Sequence, residues 1–360
     1  MDSASRSAGQ HPGPPNNGGT LANSDNALID SLGRPLRDLR ISVTDRCNFR
    51  CTYCMPREVF GPEHQFLSRD QVLSFEEIHR LARLFVAAGV EKIRITGGEP
   101  LLRREIATLV AMLAGLDGVR DLTMTTNASL LKGQAAALSE AGLHRVTISL
   151  DALDDDIFQA MSDVRIPVDT VLQGIAMASE VGLTPVKVNM VVQRGVNEDQ
   201  LLKMSEYFRG SGHVLRFIEF MDVGNSNGWR LEDVVSGRKI RDTIHARWPL
   251  EPVEPNYEGE VARRYRYQDG GGEIGIITSV TQPFCSTCNR ARLTADGELF
   301  TCLFARQGHD LKRLVRDGGS DAEIADRLQA IWGARTDRYS DLRSLATIDL
   351  PRVEMSRIGG

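Results

Sequence analysis

The sequence predicts an α/β protein built on an incomplete (β/α)6 TIM-like barrel, with a smaller C-terminal region closing the barrel mouth. Three observations lead there. Short β-branched runs alternate with amphipathic helical stretches from residue 39 to 220, which is the signature of parallel βαβ units. Six such units are too few for a complete eight-stranded barrel. Beyond about residue 224 the alternation stops, and Trp229, Trp248, Pro249, Pro252 and Pro255 sit among short segments.

Each element follows from its pattern. Residues 39–43, 92–96, 122–125, 145–149, 186–191 and 215–220 read as strands. Residues 74–88, 104–114, 132–141, 171–181 and 199–208 carry apolar side chains at helical spacing. Ser74 and Glu77 are spaced as a capping box at the start of the first helix. Asp45, Gly97, Thr126, Asp151, Gln193 and Asp222 fall at strand C-termini, the face where barrels build their sites. In the C-terminal region, 264–267 and 273–277 read as small strands and 322–332 as a helix. The expected division is a disordered extension over 1–28, a partial barrel over 29–223 and a C-terminal region over 224–360. The first segment is rich in Gly, Pro, Ser and Asn and lacks the apolar content to order itself.

Composition narrows the class. The chain has 360 residues, 41% hydrophobic and 25% charged, with a net charge of −5. That balance gives no reason to expect nucleic-acid or anionic-membrane binding. No run of 18 apolar residues occurs and the first thirty residues lack an apolar leader core. A cytoplasmic protein is expected. The sequence leaves monomer and homodimer open.

The six cysteines are segregated. Cys47, Cys51 and Cys54 form one triplet and Cys285, Cys288 and Cys302 another. A disulfide framework fits a long cytosolic chain poorly. Two metal sites with three thiolates each are the economical reading. A Cys3His zinc site is an alternative at either end, with His64 and His309 as the nearest fourth ligands. An iron–sulfur cubane usually takes four thiolates. Three leave one iron open, and an open iron is a reactive position.

The first triplet, Cys-x3-Cys-x2-Cys with Tyr53 before the last cysteine, lies after the first strand, and Gly97-Gly98-Glu99-Pro100 follows the second. Together they resemble the radical S-adenosylmethionine enzymes. The resemblance implies a 4Fe–4S cluster on Cys47, Cys51 and Cys54 and a 5′-deoxyadenosyl radical made from S-adenosylmethionine. The second triplet, Cys-x2-Cys-x13-Cys, carries Asn289-Arg290-Ala291-Arg292 beside Cys288. With Lys187-Val188-Asn189, Ser149-Leu150-Asp151 and the terminal Gly359-Gly360, it resembles the GTP 3′,8-cyclases of molybdenum cofactor biosynthesis. The likeness runs from about Asp30 to Gly360.

That resemblance implies a second 4Fe–4S cluster on Cys285, Cys288 and Cys302, whose open iron holds the guanine of GTP. It implies cyclisation of GTP to (8S)-3′,8-cyclo-7,8-dihydroguanosine 5′-triphosphate, a reducing electron donor, and cyclic pyranopterin monophosphate synthase as the next enzyme. It assigns S-adenosylmethionine contacts to Tyr53, Gly98, Ser149 and Met221. It assigns GTP contacts to Arg40, Arg94, Thr125, Lys187, Arg290 and Arg292, with Arg216 and Lys92 as weaker candidates. Catalytic roles fall to Arg290, Arg292, Gly359 and Gly360, the glycine tail entering the site. Read without the family, Arg94 and Lys187 could equally point outward into solvent, and Met221 could be plain core. A peptide-modifying radical enzyme and a non-enzymatic zinc scaffold are the rival readings.

Overall fold

The computed structural model describes residues 27–343 and 352–359. Twelve strands form one sheet. The first six are β1 (Asp38–Ser42), β2 (Lys92–Thr96), β3 (Asp121–Thr126), β4 (Arg145–Ser149), β5 (Lys187–Val192) and β6 (Val214–Glu219), each pairing in parallel with the next. After them come β7 (Leu250–Val253), β8 (Arg263–Tyr267), β9 (Glu273–Ile277), β10 (Arg290–Leu293), β11 (Glu298–Phe300) and β12 (His309–Asp310). The spatial order is β12-β11-β10-β1-β2-β3-β4-β5-β6-β9-β8-β7.

The C-terminal region extends the barrel sheet at both edges. β10 pairs in parallel with β1, setting Arg292 beside Arg40, and β9 pairs in parallel with β6, setting Ile276 beside Phe217. Open sheet edges invite covering, and here the chain covers its own. β11, β12, β8 and β7 then continue antiparallel. Buried Glu219 at the end of β6 locks the join, accepting from Gly237 N at 2.7 Å and from Val280 N and Thr281 N at 2.9 Å.

The helices are α1 (Phe75–Ala87), α2 (Ile106–Ala114), α3 (Ala135–Glu140), α4 (Asp155–Ser162), α5 (Val168–Glu180), α6 (Gln200–Phe208), α7 (Gly237–Arg247), α8 (Lys312–Arg316), α9 (Asp321–Gly333), α10 (Tyr339–Leu342) and α11 (Met355–Ile358). The Ser74–Glu77 capping box forms in full on α1, a device worth about 1 kcal/mol. Ile78, Leu81 and Phe85 then face the sheet's outer side. Leu39 and Ile41, Ile93 and Ile95, Val146 and Ile148, and Val188 and Met190 meet such helices in one continuous core.

Three local expectations change. Glu105 adopts a left-handed conformation, φ 57°, so α2 begins at Ile106 rather than 104. The helix expected over 132–141 is split into a 3-10 turn, Leu131–Gly133, and the short α3. α4 was not expected; its start is acidic and it is only eight residues long. Asp154 caps it through Asp156 N and Ile157 N. The extension over 1–28 lies outside the described residues except for 27 and 28, where Leu28 N donates to Ala88 O at 3.0 Å. Among the described residues no helix is long and apolar enough to cross a membrane.

Candidate active site

Strand alternation sends one side chain in two to the inner face of the sheet. In many barrels that face is filled with apolar residues. Here it is polar and borders a large chamber. At its floor Lys92 lies 3.7 Å from Asp38 and 3.5 Å from Asp121, and Arg145 pairs with Asp121. Two residues further along the strands stand Arg40, Arg94, Asn189 and Arg216, with Arg292 beside Arg40 on β10. Lys187 on β5 lines the same chamber.

This upper layer is short of negative charge. Arg94 Nη1 donates to Thr125 Oγ1 at 3.0 Å and Thr147 Oγ1 at 3.1 Å, and Arg216 Nε donates to Asn189 Oδ1 at 2.9 Å. These acceptors are neutral. Burial and the neighbouring cations push Arg94 down to about 10, Arg216 to about 9 and Lys187 to about 7. Asp38 is the carboxylate nearest Arg40; burial alone would raise it, but Lys92, Arg40 and Arg94 hold it below its ordinary value. A buried cluster of this sign is costly without an anion.

The first cysteine trio lies on the loop leaving β1. Cys47, Cys51 and Cys54 all line the chamber. α4 supports this loop: Arg50 N donates to Ser162 O and Thr52 N to Met161 O, both at 2.9 Å. Cys47 Sγ accepts from Phe49 N at 3.4 Å and lies 3.9 Å from Asn127 Nδ2. Tyr53 donates to Asp151 Oδ2 at 2.6 Å. Burial pushes Cys47 up to about 11, and burial with the neighbouring thiols raises Cys51 and Cys54 further. Thiols held this way need a cation to ionise.

Gly97 and Gly98 let β2 end against that loop. A Cβ on Gly98 would meet Arg46 O at 2.2 Å, and one on Gly97, at φ +142°, would meet Thr44 O at 2.5 Å. Only glycine permits that approach. Buried Glu99 pins the segment to β3, accepting from Thr126 Oγ1 and Asn127 N at 2.7 Å each. Burial pushes its carboxyl up to about 7.

The second trio faces the same chamber from the C-terminal region. Cys302 Sγ accepts from Phe304 N at 3.4 Å and Cys288 Sγ from Arg335 Nη2 at 3.2 Å. Burial pushes Cys302 up to about 12. For Cys288, burial is outweighed by the Arg290 and Arg335 guanidiniums, which bring it down to about 7.

The residues fit iron–sulfur clusters better than zinc cages. Each trio offers three soft donors with N–H groups aimed at sulfur. Neither gains a fourth ligand from the candidate histidines. His64 packs between Phe60 and Phe66, at 4.7 and 4.6 Å between ring centres, and His309 sits on β12; neither borders the chamber. Among the described residues no group of three His, Cys, Asp or Glu side chains closes round a single ion.

The C-terminal tail enters from the open side. Arg292 donates to the carbonyls of Ile358, at 3.2 Å, and Gly359. A Cβ on Gly359 would lie 2.3 Å from Thr96 Cγ2. Gly360 lies outside the described residues.

The structure brings nearly every expected site residue to one chamber. The six cysteines, Tyr53, Gly98, Ser149, Met221, Arg40, Arg94, Thr125, Lys187, Arg290 and Arg292 line it, as do Lys92 and Arg216. Gly359 reaches it through its carbonyl on Arg292. Sequence reasoning missed Asn127, Thr147, Tyr257 and Arg335. Asn127 was legible as the end of a Thr-Thr-Asn run, whereas Tyr257 and Arg335 sit in segments without a motif.

Comparison with known proteins bears on this arrangement. Residues 41–208 match the sequence profile of the Radical SAM superfamily, and 213–341 that of Molybdenum Cofactor Synthesis C. A GTP 3′,8-cyclase of Acidothermus cellulolyticus is 56% identical over 322 residues, covering 88% of this chain and 89% of its own. One from Xanthomonas campestris is 54% identical over 333 residues, covering 92% and 97%. One from Staphylococcus aureus is 49% identical over 337 residues, covering 92% and 99%. Among solved structures, Streptococcus suis SuiB bound to S-adenosylmethionine shares the fold at TM-score 0.59 and 15% identity, over 86% of this chain and 68% of that one.

Proposed function

The chain belongs to the GTP 3′,8-cyclase family of the radical S-adenosylmethionine superfamily, and on that premise we propose how its chamber divides the work. It converts GTP to (8S)-3′,8-cyclo-7,8-dihydroguanosine 5′-triphosphate, the first step of molybdenum cofactor biosynthesis. Its cofactors are S-adenosylmethionine and two 4Fe–4S clusters. When bound, they supply the 5′-deoxyadenosyl radical that opens the reaction at the ribose of GTP.

The chain's own residues bind, orient and exclude water. Cys47, Cys51 and Cys54 hold one cluster and Cys285, Cys288 and Cys302 the other. Tyr53, Gly98, Ser149 and Met221, on the side of the first trio, receive S-adenosylmethionine. Gly98 does so by letting the end of β2 pack against the backbone of Arg46 and Cys47, where a Cβ would clash. Arg40, Arg94, Lys187 and Arg216 take the triphosphate, with Thr125 holding Arg94 in place at 3.0 Å. Arg290 and Arg292 flank the guanine beside the second trio. The tail meets the site at Gly359, whose carbonyl accepts from Arg292, and Gly360 is taken to act with it.

One observation carries this reading: a layer of largely buried cations with few matching carboxylates lines the same chamber as two trios of thiols. A triphosphate supplies the missing charge, and Arg in particular suits bidentate phosphate binding. The same reading takes a reducing electron donor, a cytoplasmic setting, a monomer or homodimer, and cyclic pyranopterin monophosphate synthase as the enzyme that receives the product.

The test is anaerobic incubation of the reconstituted protein with GTP, S-adenosylmethionine and dithionite, followed by product identification. The cyclised nucleotide with stoichiometric 5′-deoxyadenosine is expected. A chain that cleaves S-adenosylmethionine but leaves GTP intact, while modifying a peptide, would return the rival reading.

A further inference from the structure

The cysteines of the second trio sit on two segments, Cys285 and Cys288 at the ends of one turn and Cys302 well beyond it. Cys285 lies in a 3-10 turn, Cys288 precedes β10 and Cys302 follows β11. Such a site needs something to hold the segments together. Behind it lie Asp30, Arg34 and Arg335, whose side chains are 0%, 2% and 1% exposed.

Asp30 Oδ2 accepts from Arg34 Nε at 2.6 Å and from Arg335 Nη1 at 3.2 Å. Arg34 Nη1 donates to the carbonyl of Cys285 at 2.8 Å. Arg335 Nη1 donates to the carbonyl of Cys288 at 2.7 Å, and its Nη2 to Cys288 Sγ at 3.2 Å. Arg335 Nε donates to the carbonyl of Thr301, the neighbour of Cys302, at 3.1 Å. Trp332 covers the Arg335 guanidinium at 4.5 Å. One buried carboxylate therefore carries two guanidiniums that reach both cysteine segments.

The charges point the same way. Two buried cations share Asp30, and Asp337, 30% exposed, adds only a contact of 3.5 Å to Arg335. Arg34 Nη2 is buried with no hydrogen-bond partner. The positive charge is concentrated at Cys288, where Arg335 donates to the sulfur, and a cluster ligated by thiolates is an anion that would offset it.

We propose that Arg335 is a positioning residue for the second cluster: it fixes the spacing of the cysteine segments and raises the cluster's reduction potential by donating an N–H to the Cys288 sulfur. Hydrogen bonds to ligating sulfur and nearby positive charge both act in that direction. Arg34 shares the first task and not the second, since it reaches a carbonyl and no sulfur. The proposal rests on the reading of Cys285, Cys288 and Cys302 as cluster ligands.

The test uses the full-length chain reconstituted anaerobically, with Arg335→Lys, Arg335→Gln and Arg34→Lys as variants. The two clusters are told apart by which of their electron paramagnetic resonance signals shifts with S-adenosylmethionine and which with GTP. Both Arg335 variants should lower the second cluster's potential and leave the first unmoved. Arg335→Gln should also lose second-site iron to a chelator at least tenfold faster. Arg34→Lys should lose iron faster with an unchanged potential, which separates clamping from tuning. Both clusters loaded, with wild-type potential and iron loss in both Arg335 variants, would overturn the proposal alone. A wild-type second site that takes up no iron and sulfide would overturn the underlying reading and the proposal with it.

Discussion

Arg40 on β1 stands beside Arg94 on β2 in parallel register, and the Nε atoms of both are buried without a hydrogen-bond partner. Two like charges on neighbouring strands oppose folding. On the proposed reading the cost is offset when the triphosphate of GTP binds the pair. Stability and substrate binding are therefore opposed at this layer, and the opposition is measurable.

Arg94→Met keeps much of the side-chain volume and removes one buried cation. The protein before cofactor loading should gain about 1–3 kcal/mol, the scale at which apolar replacements of buried charges act. Its melting temperature should rise by a few degrees. GTP affinity should fall by about one to two orders of magnitude, on the scale of a lost charge-assisted hydrogen bond. Calorimetric melting and titration of the same sample read both. A melting temperature that fell with the affinity would show Arg94 to be a structural residue.

Lys187 is pushed down to about 7 by burial, Arg145, Arg216 and Lys92, whereas an unfolded lysine titrates near 10.4. Between those values the unfolded chain holds the extra proton. This group's contribution to stability is therefore least below pH 7 and grows as pH rises through the window. A bound triphosphate restores the proton. GTP binding at pH 8 should thus take up a proton, seen as a dependence of the binding heat on buffer ionisation enthalpy, and Lys187→Met should abolish the uptake. Binding heats independent of buffer in the wild type would contradict this.

Gly359→Ala places a Cβ 2.3 Å from Thr96 Cγ2 at a φ of +69°. The tail should leave Arg292, and cyclisation should fall at least tenfold. Both clusters should still assemble, since no cysteine is touched. Iron content and turnover on one preparation decide it; undiminished turnover would remove the tail from the chemistry.

The two trios should fail differently. Cys51→Ser should abolish cleavage of S-adenosylmethionine. Cys288→Ser should chiefly stop GTP turnover while slow, uncoupled cleavage persists. Normal cyclisation by the Cys288 variant would refute the assignment of the second site.

The barrel was legible because its signals are local. The Ser74–Glu77 capping box and the β-branched strands each act within a few residues. The 92–96, 145–149 and 273–277 strands fall on their expected bounds. α4 was missed although Phe158 and Met161 share its buried face, because its eight residues fall short of the window over which helical periodicity is read. Arg94 and Lys187 could be named but not oriented, because a strand's register alone decides which face a side chain takes.

Residue types and spacings by themselves marked out the candidate chemical groups: two sets of three thiols, the paired glycines and the basic residues are chemical facts of the chain. What the fold decided is that these groups share one chamber, and that Asp30, Arg34 and Arg335 meet behind the second trio. Arg335 and Asp30 lie 305 positions apart in the chain. Such pairing follows from strands β10 and β9 closing on the edges of the barrel sheet, which no local pattern encodes.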